Sequence, residues 1–180
     1  MREEILKQIN VFRVFNDVTL KGEIVVYGST YAAEFPFYEL AQKYTFSNAI
    51  YNRSVKGIKL AEVEEGLADC VLETKPAKLF LSLGEHDLSD PKAIEVYRRI
   101  LWRIREKIPE TQTFVLPVLS GGKDVQHFNA DLRLLSETLG VRYLDLYDTT
   151  ADGKLLYNGI FKQLARFFRR GALTFGEAFN

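Results

Sequence analysis

The fold is decided by a stretch that begins with Ile24-Val25-Val26-Tyr27 and continues into Gly28-Ser29-Thr30. An apolar run this short that ends at a glycine is typical of a strand buried on both faces of a parallel sheet. The same pattern recurs at 78–83, 113–118 and 141–146, and in a weaker form at 47–51. The sequence therefore predicts five buried strands.

Helical patterns fill the intervals between these runs. The clearest covers 91–107, where Tyr97, Ile100 and Ile104 recur at helical spacing behind Pro91. Similar patterns predict helices at 31–44, 59–72, 124–139 and 155–169, with Pro36 delaying or kinking the first of them. Alternating strands and helices imply a parallel sheet with helices on both faces. We therefore predict an α/β fold, a three-layer αβα sandwich around a doubly wound sheet.

Length and composition predict one globular unit. The 180 residues suit a single domain, 1–180, with a helical extension at 1–22 and a tail at 171–180. Lys+Arg and Asp+Glu both number 24, and this balance argues against a general nucleic-acid binder. The single cysteine, Cys70, excludes an internal disulfide.

The beginning of the chain is charged, and no long apolar run follows it. We expect neither a signal peptide nor a membrane span, and we expect a cytoplasmic location. We expect no cofactor and no metal site, because the two histidines and the one cysteine are far apart in the sequence. The oligomeric state stays open.

Polar loops follow the predicted strands at the edge where ligands bind in open parallel sheets. The loops are Gly28-Ser29-Thr30, Asn52-Arg53-Ser54-Val55-Lys56-Gly57, Gly84-Glu85-His86-Asp87 and Asp152-Gly153-Lys154-Leu155. Glycine permits the sharp turn out of a strand, and backbone N–H groups at a helix start can hold an anion or an oxyanion.

In their order along the chain, these loops resemble the four sequence blocks of the SGNH (GDSL-type) hydrolases. Those blocks are Gly-Asp-Ser, Asn-x-Gly-x-x-Gly, Gly-x-Asn-Asp and Asp-x-x-His. The resemblance spans roughly residues 23–168. It implies a flavodoxin-like strand order, 2-1-3-4-5, and a site for ester hydrolysis.

The resemblance also implies a role for each matching position. Thr30 takes the place of the nucleophile, with Ser29 as a second candidate, and Gly57 and His86 take the oxyanion-hole positions. Asp152 takes the place of the triad acid, whereas the triad histidine is replaced by Leu155. The remaining predicted ligand-binding residues are Gly28, Asn52, Arg53, Gly84 and Asp87.

Leucine cannot move a proton, and a hydroxyl nucleophile needs a base. We therefore predict a hydrolase-like protein with little or no standard esterase activity that keeps a pocket for a small ester or a related ligand. The first alternative is an active esterase that uses Thr30 or Ser29. A weaker alternative is an FMN-binding protein of the flavodoxin kind, against which Glu34 argues because it would repel a phosphate.

Each candidate also has a structural interpretation. Ser29 and Thr30 could cap a helix, and His86 could hold its own loop. Asp87 could tie nearby backbone N–H groups, and Asp152 could be a turn residue. Arg53 and Lys56 could be solvated surface charges.

Overall fold

The computed structural model describes residues 1–44, 46, 48–119, 123–146 and 157–168. In this part of the chain the strands are β1 (Ile24–Gly28), β2 (Ile50–Asn52), β3 (Lys78–Ser82), β4 (Gln112–Val115) and β5 (Arg142–Tyr143). The helices are α1 (Glu3–Phe15), α2 (Thr30–Glu34), α3 (Phe37–Ala41), α4 (Leu60–Cys70), α5 (Ala93–Lys107), α6 (Lys123–Leu139) and α7 (Tyr157–Ala165), and a 3₁₀ turn covers Leu72–Thr74.

The strands form one parallel sheet in the order β2-β1-β3-β4-β5, which confirms the predicted fold class and strand order. In the register, Val26 of β1 lies between Asn52 of β2 and Phe80 of β3. Because all strands run the same way, the loops that follow β1, β2 and β3 meet at one edge of the sheet.

Alternate side chains of the strands enter two separate apolar cores. Val25 and Leu79 point to the face covered by α1, α4, α5 and α6, where Ile9 and Ile100 are also buried. Residues one position along, such as Phe80, point to the face covered by α2, α3 and α7. This alternation between two buried faces is what makes each strand an uninterrupted apolar run in the sequence.

The predicted helix at 31–44 is wrong as a single element, because it is divided into α2 and α3. Phe35 between them is extended, with ψ of 125°. Pro36 follows it, and a proline disfavours helical backbone at the residue before it. The division lets α2 begin directly at Thr30.

Other boundaries shift by a few residues. The strand predicted at 47–51 is Ile50–Asn52, and the helix predicted at 91–107 begins at Ala93, after Pro91. Gly140 follows α6 with φ of +65°, a left-handed conformation that is common at helix ends and suits glycine. In the described part of the chain, no helix combines the length and apolarity needed to cross a bilayer.

Candidate functional site

Close approach of β1 and β3 brings the first and third loops together. A Cβ atom at Gly28 would lie 2.6 Å from the Ser82 carbonyl oxygen and 2.5 Å from Cβ of Ala32. Only glycine therefore permits this turn between β1 and α2. The turn places Thr30 at the start of α2, beside the loops that follow β2 and β3.

The hydroxyl oxygen of Thr30 is the point where the three loops meet. The Gly57 N–H group donates to Thr30 Oγ1 at 3.0 Å, and His86 Nε2 lies 2.9 Å from the same oxygen. Gly57 has φ of +76°, which a side chain would disfavour. Thr30 is half-buried, and the His86 side chain is 38% exposed. The structure thus brings together three predicted site residues around one reachable hydroxyl.

Glu85 adds a carboxylate that the sequence analysis did not select. Its Oε1 lies 3.2 Å from His86 Nε2. The two carboxylate oxygens also accept the Tyr31 N–H group at 3.2 and 3.3 Å. The only signal for this role in the sequence is that Glu85 precedes His86 in the third loop. The carboxylate already accepts a backbone N–H group at the start of α2, and its negative charge would repel a second anion. This position therefore does not favour the phosphate of an FMN.

Ser29 lies inside the protein and does not join Thr30. Its side chain is buried, and its Oγ donates to the Ile58 carbonyl at 3.0 Å. Its backbone N–H donates to the Ser82 carbonyl at 3.0 Å. These bonds tie the first loop to the chain before α4 and to β3, so the structure gives Ser29 a supporting position.

Asn52 bridges two segments with its amide. Nδ2 donates to the Ala32 carbonyl at 2.8 Å, and Oδ1 accepts the Ser54 N–H group at 3.1 Å. Both ends of the amide therefore have protein partners, and Asn52 connects the end of β2 to α2.

The expectation that Arg53 is a solvated charge is wrong. Its side chain is buried, with a relative exposure of 3%. The guanidinium donates to the Phe12 carbonyl at 3.0 Å and to Thr19 Oγ1. It faces the N-terminal segment instead of the Thr30 hydroxyl.

Gly84 and Asp87 shape the third loop. Gly84 has φ of +104°, and a Cβ atom there would lie 2.4 Å from Cζ of Phe128. Asp87 is buried, and it accepts the Leu60 N–H group at the start of α4 at 3.1 Å. Burial raises the pKa of the Asp87 carboxyl group. Both residues hold the loop in place while His86 stays on its outer side.

Helix α1 holds the second loop from behind, a role that the sequence did not indicate. Gln8 Oε1 accepts the Lys56 N–H group at 3.1 Å, and Gln8 Nε2 donates to the Lys56 carbonyl at 3.5 Å. Arg2 donates to the Gly57 carbonyl at 2.6 Å and to Glu62 Oε2 at 2.7 Å. The Lys56–Gly57 peptide that presents an N–H group to Thr30 is therefore positioned by α1.

The fourth predicted block lies outside the described residues. This applies to Asp152 and to Leu155, the acid and base positions of the resemblance. The described chain resumes at Tyr157, whose ring centroid is 5.9 Å from that of Tyr31. Helix α7 therefore begins beside the residue that follows Thr30. Across the described residues, no three His, Cys, Asp or Glu side chains gather closely enough to hold a metal ion.

No family model and no curated protein matches this sequence. Several solved structures have a similar fold. A protein of Streptococcus pneumoniae, solved as a candidate platelet activating factor, is 20% identical, with a TM-score of 0.79 over 92% of this chain and 93% of that chain. A GDSL-like lipase from Bacteroides thetaiotaomicron is 10% identical, with a TM-score of 0.71 over 87% of this chain and 92% of that chain. A lipase/acylhydrolase from Enterococcus faecalis is 15% identical, with a TM-score of 0.66 over 81% of this chain and 94% of that chain. These likenesses confirm the fold that the four loops implied.

Proposed function

We propose that this chain, whose fold is that of the GDSL-like lipases and acylhydrolases, binds a neutral carboxylic ester or related acyl compound beside Thr30 without hydrolysing it efficiently. The observation that supports the proposal is the position of His86 Nε2 between two oxygens. Thr30 Oγ1 is 2.9 Å away, and Glu85 Oε1 is 3.2 Å away.

The position of the proton on the His86 imidazole depends on whether its neighbours donate or accept hydrogen bonds. An ionised carboxylate only accepts hydrogen bonds, so the contact with Glu85 favours a proton on Nε2 of His86. In that state Nε2 donates and cannot take a proton from Thr30. The Gly57 N–H group also donates to the Thr30 oxygen. A hydroxyl oxygen that accepts two hydrogen bonds and has no base for its own proton is a poor nucleophile.

The leucine in the fourth block also argues against efficient hydrolysis. The SGNH resemblance assigns the base to the position of Leu155, and leucine cannot accept a proton. Loss of the base from a catalytic triad lowers the rate by several powers of ten. The donors beside Thr30 can still hold a carbonyl oxygen, so ligand binding does not require the lost base.

Glu85 also restricts the charge of the ligand. A second carboxylate near His86 would be repelled by Glu85, because like charges at close range raise the free energy of binding. An ester, which has an accepting carbonyl oxygen and no charge, meets no such repulsion. The Gly57 and His86 groups, which contact Thr30 Oγ1 in the structure, would donate to that carbonyl oxygen instead.

One observation favours a second candidate, an esterase with Thr30 as nucleophile and His86 as base. The 2.9 Å separation of Oγ1 and Nε2 is within the reach of general-base catalysis. If the imidazole proton is on Nδ1, Nε2 can accept the Thr30 proton as Oγ1 attacks the ester carbonyl. The alkoxide would leave with that proton, and water would hydrolyse the acyl-threonine.

Hydrolysis of p-nitrophenyl acetate by the wild type, Thr30→Ala, Ser29→Ala and Leu155→His separates the two candidates. We expect wild-type activity that Thr30→Ala does not lower, and a gain in Leu155→His. A loss of activity in Thr30→Ala alone, together with fluorophosphonate labelling of Thr30 in the wild type, would establish the esterase. Ser29→Ala serves as the matched control, because it removes the neighbouring hydroxyl.

Binding is measured separately by amide NMR titration with ethyl butyrate and with butyrate. We expect ethyl butyrate to shift the amide signals of Gly57 and Thr30, and butyrate to shift them much less. Equal shifts from both compounds would contradict the proposed neutral ligand, whatever the hydrolysis assay gives.

A further inference from the structure

Arg53 is a buried cation, and the described part of the chain places no buried anion beside it. Its contacts are the Phe12 carbonyl and the Thr19 hydroxyl, and the Phe12 and Tyr51 rings lie 5.1 and 5.9 Å from its Cζ. No Asp or Glu among the described residues forms an ion pair with it. Burial lowers the pKa of the guanidinium. Neutral acceptors and ring faces therefore offset only part of the cost of removing this charge from water.

Arg53 lines a cavity of about 250 Å³ between α1 and the end of β2. The cavity is bounded by Phe12, Phe15, Val18, Thr19, Tyr38, Tyr51, Asn52 and Arg53. Among the described residues, this lining contains one positive charge and no negative charge. Two of the five guanidinium N–H groups donate to the described residues Phe12 and Thr19.

A larger and mostly apolar cavity adjoins it. Tyr38 and Tyr51 line both it and a neighbouring cavity of about 420 Å³. The second cavity is further lined by Ala41, Gln42, Tyr44, Phe46, Asn48, Ala49 and Ile50, and no described residue of its lining is acidic. The two adjoining cavities, here called the groove, lie beside the edge strand β2, with Arg53 lining the smaller one and aromatic side chains lining both. Ligand pockets of this kind are apolar with a few polar groups that fix orientation.

The outer rim of the groove is apolar as well. Val18 is 77% exposed and Tyr38 is 62% exposed. A cluster of exposed apolar side chains is typical of a surface that binds a ligand, a membrane or another protein. A ligand that suits the groove has an anionic head for Arg53 and an apolar body for the aromatic walls.

We propose that this groove binds a medium-chain alkyl carboxylate, with the carboxylate against Arg53 and the alkyl chain along Tyr38 and Tyr51. Arginine pairs with carboxylates through two parallel hydrogen bonds, which gives both charge and direction to the contact. The site is separate from the Thr30 hydroxyl, and it does not depend on whether an ester binds there.

Titration of the wild-type protein with octanoate and with 1-octanol, followed by amide NMR, tests the charge requirement without a mutation. Both compounds have the same alkyl length, and only octanoate has a charge. We expect octanoate to bind at least about tenfold more tightly and to shift the amide signals of Thr19, Tyr38 and Arg53. Equal affinity for the two compounds, or shifts confined to Thr30 and Gly57, would overturn the proposal.

Two substitutions of exposed apolar residues provide a matched pair. Val18→Asp places a negative charge at the rim, and we expect it to weaken octanoate binding at least about fivefold. Leu134→Asp makes the same kind of change on α6, where Leu134 is 63% exposed, and we expect no effect. Arg53→Met should abolish the preference for octanoate over octanol. If that variant does not fold, the Val18→Asp comparison decides, and unchanged octanoate affinity in Val18→Asp would contradict the site.

Discussion

Thr30 and His86 are joined across two loops, with Oγ1 of the threonine 2.9 Å from Nε2 of the imidazole. This contact places a proton-transferring side chain on the hydroxyl that the sequence suggested as a nucleophile. Glu85 determines what the contact can do, because its carboxylate lies 3.2 Å from the same nitrogen. With a proton on Nε2, as we propose, the imidazole donates to the Thr30 oxygen, in the direction opposite to general-base catalysis.

Replacement of Glu85 by glutamine should release His86 to act as a base. The amide no longer favours a proton on Nε2, so the nitrogen can accept the Thr30 proton. We expect hydrolysis of p-nitrophenyl acetate to rise about tenfold, equivalent to about 1.4 kcal/mol in the barrier. Ring ¹⁵N NMR of His86 should show a shift of the proton toward Nδ1. Glu39→Gln, the same change at an exposed site on α3, is the control and should leave both measurements unchanged.

Gln8 should control the exchange of the Gly57 amide proton. Its side chain bonds both the N–H group and the carbonyl of Lys56, so it orients the peptide that ends at Gly57 N. Loss of about 1 kcal/mol of hydrogen bonding in Gln8→Ala should speed exchange of the Gly57 amide about fivefold. Arg13→Ala removes a different contact between α1 and α4, with Asp69, and serves as the control. Equal acceleration in both variants would mean that α1 acts by general packing.

Glu62 should make folding stability dependent on pH in the acidic range. Hydrogen bonds from the Arg2 side chain lower the pKa of the Glu62 carboxyl group to about 2. In the unfolded chain, the pKa of this carboxyl group is about 4.3. The stabilising contribution is therefore complete above the unfolded pKa and is lost as the pH falls toward 2. Urea unfolding from pH 6 to pH 2.5 should show a shallower decline for Glu62→Gln than for the wild type. Glu3→Gln, at an exposed i,i+4 pair with Lys7, should decline like the wild type.

Substitution of Gly84 by alanine should destabilise the protein through two separate effects. Its φ of +104° disfavours a side chain, and the new Cβ would lie 2.4 Å from the Phe128 ring. The backbone effect costs about 1–2 kcal/mol, and overpacking adds about 1–3 kcal/mol. Gly22 has φ of +77°, and a Cβ atom added there would meet nothing within 4 Å, so Gly22→Ala isolates the backbone effect. Urea unfolding should show the larger loss for Gly84→Ala, and equal losses would exclude the clash with Phe128.

The strand pattern was predictable because each strand is buried on both faces. Val25 and Phe80 enter opposite cores, so both appear in the sequence as members of continuous apolar runs. Boundaries were harder to predict where backbone geometry overrides the apolar pattern. Pro36 divides one predicted helix into two because it prevents helical backbone at Phe35.

The sequence predicted the surroundings of some site residues better than those of others. Thr30 and Gly57 could be placed at one edge of the sheet, because the ends of adjacent parallel strands meet there. The burial of Arg53 could not be foreseen, since its partners are a carbonyl at Phe12 and a hydroxyl at Thr19, more than 30 residues earlier in the chain. A backbone carbonyl has no residue-specific signature in a sequence.

The amino-acid sequence alone determines the parallel sheet, its layers and the meeting of three polar loops, because these follow from periodicity, glycine positions and strand order. It also places a leucine, Leu155, where the SGNH resemblance implies the triad histidine, and that hypothesis was available from the sequence. Tertiary structure alone decides that Glu85 contacts the His86 nitrogen, that α1 holds the Lys56–Gly57 peptide and that Arg53 lines a groove. The reason is physical: hydrogen-bond direction and the burial of a charge depend on distances of a few ångströms between distant segments, which residue order does not contain.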